Sequence, residues 1–325
     1  MSTATMEQAN TRKLPVIDVS GLRGDSGERR AVAREMRAAC TASGFFYIKG
    51  HGVPGTLIDQ VFHQSHEFFA LPMEQKLALT MAQSRCRHGY EPLKTQTLEP
   101  GAPPDLKEGF LAGEDFAADH PVVRNDPANI GPNQWPPQLP QFRTATIAYV
   151  EEMKALTAML MGGLALSLEL AEDYFDDFCK QPILTLRLLH YPPQPPNPAP
   201  GEKGCGAHTD WGGITILLQD DAGGLQVQSS DGSWISAPPI TGTFVVNIGD
   251  LFARWTNNLY RSTVHRVVNT SGRARYSVPF FLDGRSDHLV SCIPTCFGSD
   301  EARQFPDITV RGHLEEMVRR TYAAG

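Results

Sequence analysis

The sequence predicts an α+β protein whose core is a jelly roll, a double-stranded β-helix, flanked by helices. Up to residue 170 the apolar residues recur at helical spacing in long stretches. Beyond Pro182 eight short β-rich runs follow one another, punctuated by Gly, Pro, Asn and Asp. Eight short strands at that spacing fit a sandwich or jelly roll and not a parallel α/β sheet.

Each element has its own signal. Residues 1–12 are polar and read as a disordered start. Leu14–Val19 is a short apolar strand ended by the turn residues Ser20-Gly21. From Glu28 to Ser43, Ala31, Val32, Met36, Ala39 and Cys40 keep helical spacing, and Gly44 stops the helix. Phe45–Ile48 is a buried strand, followed by a turn at Gly50–Pro54. Thr56–Phe69 is a second amphipathic helix, and Pro72 opens a short third one. Residues 84–140 carry little periodicity and many Pro and Gly, so a long irregular excursion is expected, with ordered islands at Gly89-Tyr90 and Asp105–Phe110. The longest helix runs from Gln141 to Leu170, broken at Gly162-Gly163.

The strands expected next are Leu184–Tyr191, Ile214–Gln219, Leu225–Gln228, Trp234–Ala237, Phe244–Ile248, Val264–Asn269, Tyr276–Leu282 and Leu289–Ile293. The proline-rich stretch 192–200 is a surface loop, and Gly312–Tyr322 a closing helix. No linker composition divides the chain. One domain is expected over 1–325, with an N-terminal region at 13–120, the jelly-roll core at 180–285 and a C-terminal strand and helix at 286–325.

Bulk properties narrow the function. A chain of 325 residues, 41% hydrophobic and 20% charged, has material for a sizeable core. A formal charge of −7 argues against nucleic acid and against an anionic membrane as partners. No apolar run approaches the roughly 18–20 residues that span a bilayer, and the N-terminus lacks a signal-peptide centre, so a cytoplasmic location is expected. The six cysteines are scattered without a C-x-x-C pair, as expected of free thiols in a reducing compartment.

The chemistry centres on Gly206-Ala-His208-Thr-Asp210-Trp-Gly-Gly213. Two residues apart on extended backbone, His208 and Asp210 point to one side and can grip one cation. His265 lies in the β-branched run Val264-His-Arg-Val267, where a histidine needs a partner. Two imidazoles and one carboxylate on one face are the ligand set that selects non-haem Fe(II) and leaves open positions for O2 and a co-substrate. Ten residues on, Arg275 and Ser277 share a face of a strand made to look buried by Val278-Pro-Phe-Phe-Leu282. A forked guanidinium beside a hydroxyl receives a carboxylate, and a buried Arg without an anion would cost several kcal/mol.

These residues, with Leu14-Pro-Val-Ile-Asp18, Gly44–Pro54, Asp105-Leu-Lys-Glu108, Leu186–Pro193, Gly223–Val227, Asn247-Ile-Gly-Asp250 and Ser262–Val267, give the chain from Leu14 to about Tyr322 its family likeness. It resembles the Fe(II)/2-oxoglutarate-dependent dioxygenases, in the branch that includes isopenicillin N synthase. The resemblance implies that His208, Asp210 and His265 ligate iron. It implies that Arg275 and Ser277 hold the distal carboxylate of 2-oxoglutarate, and that Tyr191 contacts this co-substrate. The chain departs from the pattern at Leu189-His-Tyr-Pro192, where many relatives carry Asn-Tyr-Tyr-Pro and use the Asn near the co-substrate carboxylate.

The implied activity is oxidation of a small-molecule substrate by O2, by hydroxylation or desaturation, with 2-oxoglutarate converted to succinate and CO2. Substrate contacts are expected from 84–116, from 192–203 and from Phe281, with Arg85, Arg87 and Lys107 either meeting an acidic substrate group or lying as solvated loop charges. Two rival readings stand: an isopenicillin N synthase-like oxidase that spares 2-oxoglutarate, and a non-catalytic jelly-roll binding protein. The pair His63 and His66 lacks the H-E-x-x-H order of a zinc protease and reads as partly exposed helix histidines. Nothing in the sequence chooses between monomer and homodimer.

Overall fold

The computed structural model describes residues 13–194, 200–298 and 302–322. The disordered start expected at 1–12 and most of the surface loop expected at 192–200 lie outside the described residues.

The chain opens with strand β1 (Val16–Asp18), helix α1 (Ser26–Ala42) and strand β2 (Phe45–Lys49). Asp25 starts α1 with a capping box: its carboxylate accepts the N–H groups of Gly27 and Glu28, and the Glu28 side chain accepts the N–H of Asp25. Helices α2 (Gly55–Phe69) and α3 (Met73–Leu77) follow, then β3 (Gly89–Glu91), β4 (Glu108–Ala112), the short α4 (Pro121–Asn125) and the long α5 (Pro140–Ser167). The β-rich half supplies β5 (Ile183–Tyr191), β6 (Cys205–His208), β7 (Ile214–Gln219), β8 (Leu225–Gln228), β9 (Trp234–Ser236), β10 (Phe244–Ile248), β11 (His265–Val267) and β12 (Arg275–Gly284). Helix α6 (Asp250–Trp255) sits between β10 and β11. The ribbon β13 (Leu289–Val290) with β14 (Ile308–Thr309) and helix α7 (Val310–Tyr322) close the chain.

Two sheets form the jelly roll. The major sheet has the order β1-β2-β10-β7-β12-β5-β4-β3, and the minor sheet β6-β11-β8-β9. Only the β1–β2 pair of the major sheet is parallel; its other ladders are antiparallel. The N-terminal strand β2 lies directly against β10 of the β-rich half.

Period-two alternation divides the major sheet's side chains between two surroundings. Phe46, Ile48, Leu186, Leu188, Val278 and Phe280 join the helix-covered core with α1, α2 and α5. Their neighbours Phe45, Tyr47, Leu189 and Tyr191 face the minor sheet and pack with Leu225, Val227 and Val267. Arg275 and Ser277 fall on this inner face, so the polar groups of β12 enter the space between the sheets while its apolar groups seal the helical side.

The structure corrects three local expectations. The ordered islands expected within 84–140 are β3 and β4, which extend the major sheet on β5 with Gly109 opposite Leu189, but the stretch also holds the unforeseen helix α4. Gly162-Gly163 does not break the longest helix. A Cβ on Gly163 would stand 3.0 Å from Met36 Sδ and 3.1 Å from Leu22, so the glycine admits close packing onto the N-terminal region. Strand 289–293 stops at Val290, since Pro294 opens a 3-10 turn. His66 is exposed and lies 3.8 Å, centroid to centroid, from Tyr276, as befits a surface helix histidine.

Candidate metal centre and co-substrate pocket

The two histidines meet because β6 and β11 pair antiparallel with His208 opposite His265. Their ring centroids are 4.3 Å apart. Asp210 follows two residues after His208, and its Oδ1 lies 3.7 Å from Nε2 of each imidazole. The donor atoms of all three lie within 4.8 Å of one another, a spread one cation can bridge.

Each donor is aimed by a hydrogen bond at its far atom. His208 Nδ1–H donates to Gly206 O at 2.8 Å, and His265 Nδ1–H to Thr263 O at 3.1 Å, which leaves both Nε2 lone pairs inward. Asp210 Oδ2 accepts from Thr215 Oγ1 at 2.5 Å and Asn247 Nδ2 at 2.8 Å, leaving Oδ1 for a metal. The Phe45 ring packs against His265 with centroids 5.2 Å apart. Gly212 follows because a Cβ there would collide with the Asp283 carboxylate.

Protonation states match the donor role. Burial, reinforced by His208, pushes His265 down to about 4, and burial lowers His208 as well, so both rings are neutral near pH 7. Burial opposes ionisation of Asp210, but the two imidazoles and the Thr215 and Asn247 hydrogen bonds outweigh it and hold its carboxyl below the usual range. Neutral imidazoles and an ionised carboxylate are what a metal ion requires.

Beside this cluster, a cavity of about 70 Å³ reaches Arg275, Ser277, Tyr191 and Lys107. Arg275 is 0% exposed. Its Nε donates to Gly223 O at 2.7 Å, Nη1 to Ser277 Oγ at 2.9 Å and Nη2 to Gln219 Oε1 at 3.2 Å. All three acceptors are neutral, and no carboxylate among the described residues pairs with it. The guanidinium stands 4.7 Å from the centroid of the Tyr191 ring, its partner across the β12–β5 ladder. A buried cation left this way has no counter-charge beside it.

A second cavity, of about 240 Å³, opens on the same His208 and Asp210 and is lined by Arg187, Phe281, Trp211, Asp283 and Leu111. Arg187 pairs with Glu91, and its Nε is buried without a hydrogen-bond partner. Burial, then the charge of Asp210, pushes Asp283 up to about 7.

The six site residues read from the sequence therefore converge on one place. Of the three cations offered for a substrate, Arg85 is exposed, Arg87 lines the larger cavity, and Lys107 is buried beside Asp105 in the smaller one. The larger cavity is lined by residues from 84–116 and by Phe281, and by none of the described residues of 192–203. Sequence reasoning missed Thr215, Gln219 and Arg187 and gave Asn247 no role. A lone amide inside the apolar run Phe244-Val-Val-Asn-Ile248 was the one available signal.

A jelly roll presenting two neutral imidazoles and a carboxylate beside a buried guanidinium defines a non-haem metal protein of the kind that leaves coordination positions open. Comparison with known proteins gives the family. Residues 182–284 match the 2OG-Fe(II) oxygenase superfamily, and 14–138 match the family described as non-haem dioxygenase in morphine synthesis N-terminal. The 2-oxoglutarate-Fe(II) type oxidoreductase hxnY of Emericella nidulans is 42% identical over 314 residues, 95% of this chain and 89% of that protein. A full-length Neurospora crassa protein solved in complex with alpha-KG superposes with a TM-score of 0.84 at 32% identity, over 95% of this chain and 96% of that one. The same protein's complex with alpha-KG and thymine gives 0.83 at 32% identity, over 96% and 97%.

The chain belongs to the 2OG-Fe(II) oxygenase superfamily. It is an Fe(II)- and 2-oxoglutarate-dependent dioxygenase that oxidises a small molecule with O2. Among the described residues no helix is long and apolar enough to cross a membrane.

Proposed function

We propose that His208 Nε2, Asp210 Oδ1 and His265 Nε2 hold the ferrous ion, that Arg275 and Ser277 receive the distal carboxylate of 2-oxoglutarate beside Tyr191, and that the small-molecule substrate occupies the 240 Å³ cavity. The carrying observation is Arg275: wholly buried, bonded to neutral oxygens, and in one cavity with the three metal donors. Bound together, iron and 2-oxoglutarate supply the O2-dependent oxidation that releases succinate and CO2. The chain's own residues bind and aim. Ser277 Oγ and the guanidinium fork fix one end of the co-substrate. Phe281, which lines both cavities, shields the space where the substrate meets the metal.

The whole chain acts as one domain in this reading, since β1 and β2 complete the sheet that carries Arg275. Its acidic balance supports a small-molecule partner over nucleic acid or membrane. Anaerobic titration of the Fe(II) protein with 2-oxoglutarate, followed by its visible charge-transfer absorption, tests the assignment. Wild type develops the band, whereas Asp210→Ala binds no iron and Arg275→Met needs at least tenfold more co-substrate. A band that survives unchanged in both variants would overturn the reading.

A further inference from the structure

2-Oxoglutarate carries two carboxylates, and Arg275 with Ser277 accounts for one. The same cavity holds a second buried cation. Lys107, 3% exposed, precedes β4, and across that ladder Gly109 lies opposite Leu189 while Glu108 lies opposite His190. Two residues before Gly109, Lys107 shares its face of the sheet with Leu189 and Tyr191. Arg275 flanks Tyr191 from the other side, on β12.

The two cations differ in what they touch. Lys107 Nζ donates to Asp105 Oδ2 and lies 3.6 Å from Cys205 Sγ, which in turn lies 3.9 Å from Nδ1 of His208. Through Cys205, Lys107 thus neighbours the Nδ1 edge of His208, and it lines the same cavity as His208, Asp210 and His265. The hydrogen bonds of Arg275 go to Gly223, Gln219 and Ser277, none of them a metal donor. Burial works against the Lys107 ammonium, but Cys205 and Asp105 outweigh it and hold the group above the ordinary lysine pKa. An ammonium has three donors and no acceptor. Asp105 and Cys205 take two, and Lys107 also lines the cavity.

We infer that Lys107 is a positioning residue for 2-oxoglutarate, donating to the carboxylate beside the keto group while Arg275 and Ser277 hold the far one. The inference rests on the co-substrate reading above and extends it to the metal end of the pocket. It explains why a lysine is buried at this position, in a sheet whose adjoining residue, Leu189, offers no donor. Its partner Asp105 also accepts the Gly206 N–H, on the other carboxylate oxygen, at 2.8 Å.

The test compares two probes on the anaerobic Fe(II) protein: 2-oxoglutarate, and 4-oxopentanoate, which keeps the keto group and far carboxylate but has a methyl in place of the near one. Affinities are read by calorimetry or by displacement. Lys107→Met is expected to weaken 2-oxoglutarate at least tenfold, to leave 4-oxopentanoate within twofold, and to shift the charge-transfer band. Leu189→Asn, placing an amide on the same face, is expected to restore at least threefold in the Lys107→Met background. If Lys107→Met does not fold because Asp105 is left buried and alone, Lys107→Met with Asp105→Asn carries the same comparison. Unchanged 2-oxoglutarate affinity, or equal loss for both probes, would overturn the inference. Arg275→Met is the control: it should weaken both probes, and its failure to do so would sink the underlying co-substrate reading instead.

Discussion

Asn247 Nδ2 donates a 2.8 Å hydrogen bond to Oδ2 of Asp210, the oxygen turned away from the two imidazoles. Asn247 is 3% exposed on β10, so a strand of the major sheet orients a carboxylate that follows a strand of the minor one. Losing such a partner costs a metal site about 10–100-fold in affinity. Asn247→Ala should weaken Fe(II) binding by that order, measured by competition with a chelator. Unaltered metal affinity would show that Thr215 alone suffices to aim the carboxylate.

Arg275→Lys separates shape from charge. A lysine keeps the cation but cannot reproduce three directed bonds to Gly223, Ser277 and Gln219 together with a forked contact to a carboxylate. The KM for 2-oxoglutarate is expected to rise about tenfold or more, since a good charge-assisted bond is worth about 1.5–3 kcal/mol. Iron affinity should stay unchanged. Steady-state succinate release with varied 2-oxoglutarate measures the first, and metal titration the second.

Stability in acid depends on Glu108, on the helix-covered face of β4. Burial opposes its ionisation, but hydrogen bonds from His190 at 2.7 Å, Lys76 at 2.8 Å and Tyr90 at 2.6 Å prevail and hold its pKa down at about 2. A depressed acid stabilises the fold above its unfolded pKa of 4.5, and this contribution is lost as pH falls from there through about 2. Glu108→Gln is therefore expected to lose up to about 3 kcal/mol at neutral pH. Its acid-denaturation curve should be shallower than wild type between pH 4.5 and 2, followed by circular dichroism.

Asp283 carries the opposite sign. Its pKa is raised from 3.8 to about 7, so the fold disfavours its ionised form. Stability is full below 3.8 and declines as pH rises through about 7. Asp283→Asn should therefore stabilise the metal-free protein by on the order of 4 kcal/mol at about pH 8 and far less at about pH 4, in urea titrations. Equal gains at both pH values would assign the effect to packing over Gly212 and not to charge.

The sequence by itself determined the frame and the chemically distinctive residues. Alternation on β5 and β12 and the turn residues between short strands are local signals, and they marked a jelly roll. His208, Asp210, His265 and Arg275 with Ser277 stood out because metal-binding or charged groups are expensive to place on buried strands without a purpose, whereas Tyr191 came from the family likeness alone. Only the tertiary structure decided which atom of each one faces the site. The aiming bonds from Asn247 and Thr215 to Asp210 join different strands of the fold. The β6–β11 pairing that brings His265 to His208 is likewise non-local, so no periodicity records it. Lys107 shows the same limit: from the sequence it is either a partner for an acidic group or a solvated charge, and only the pairing of β4 with β5 shows it to be buried. Burial belongs to the assembled sheets, and that is what turns an ordinary cation into part of a site.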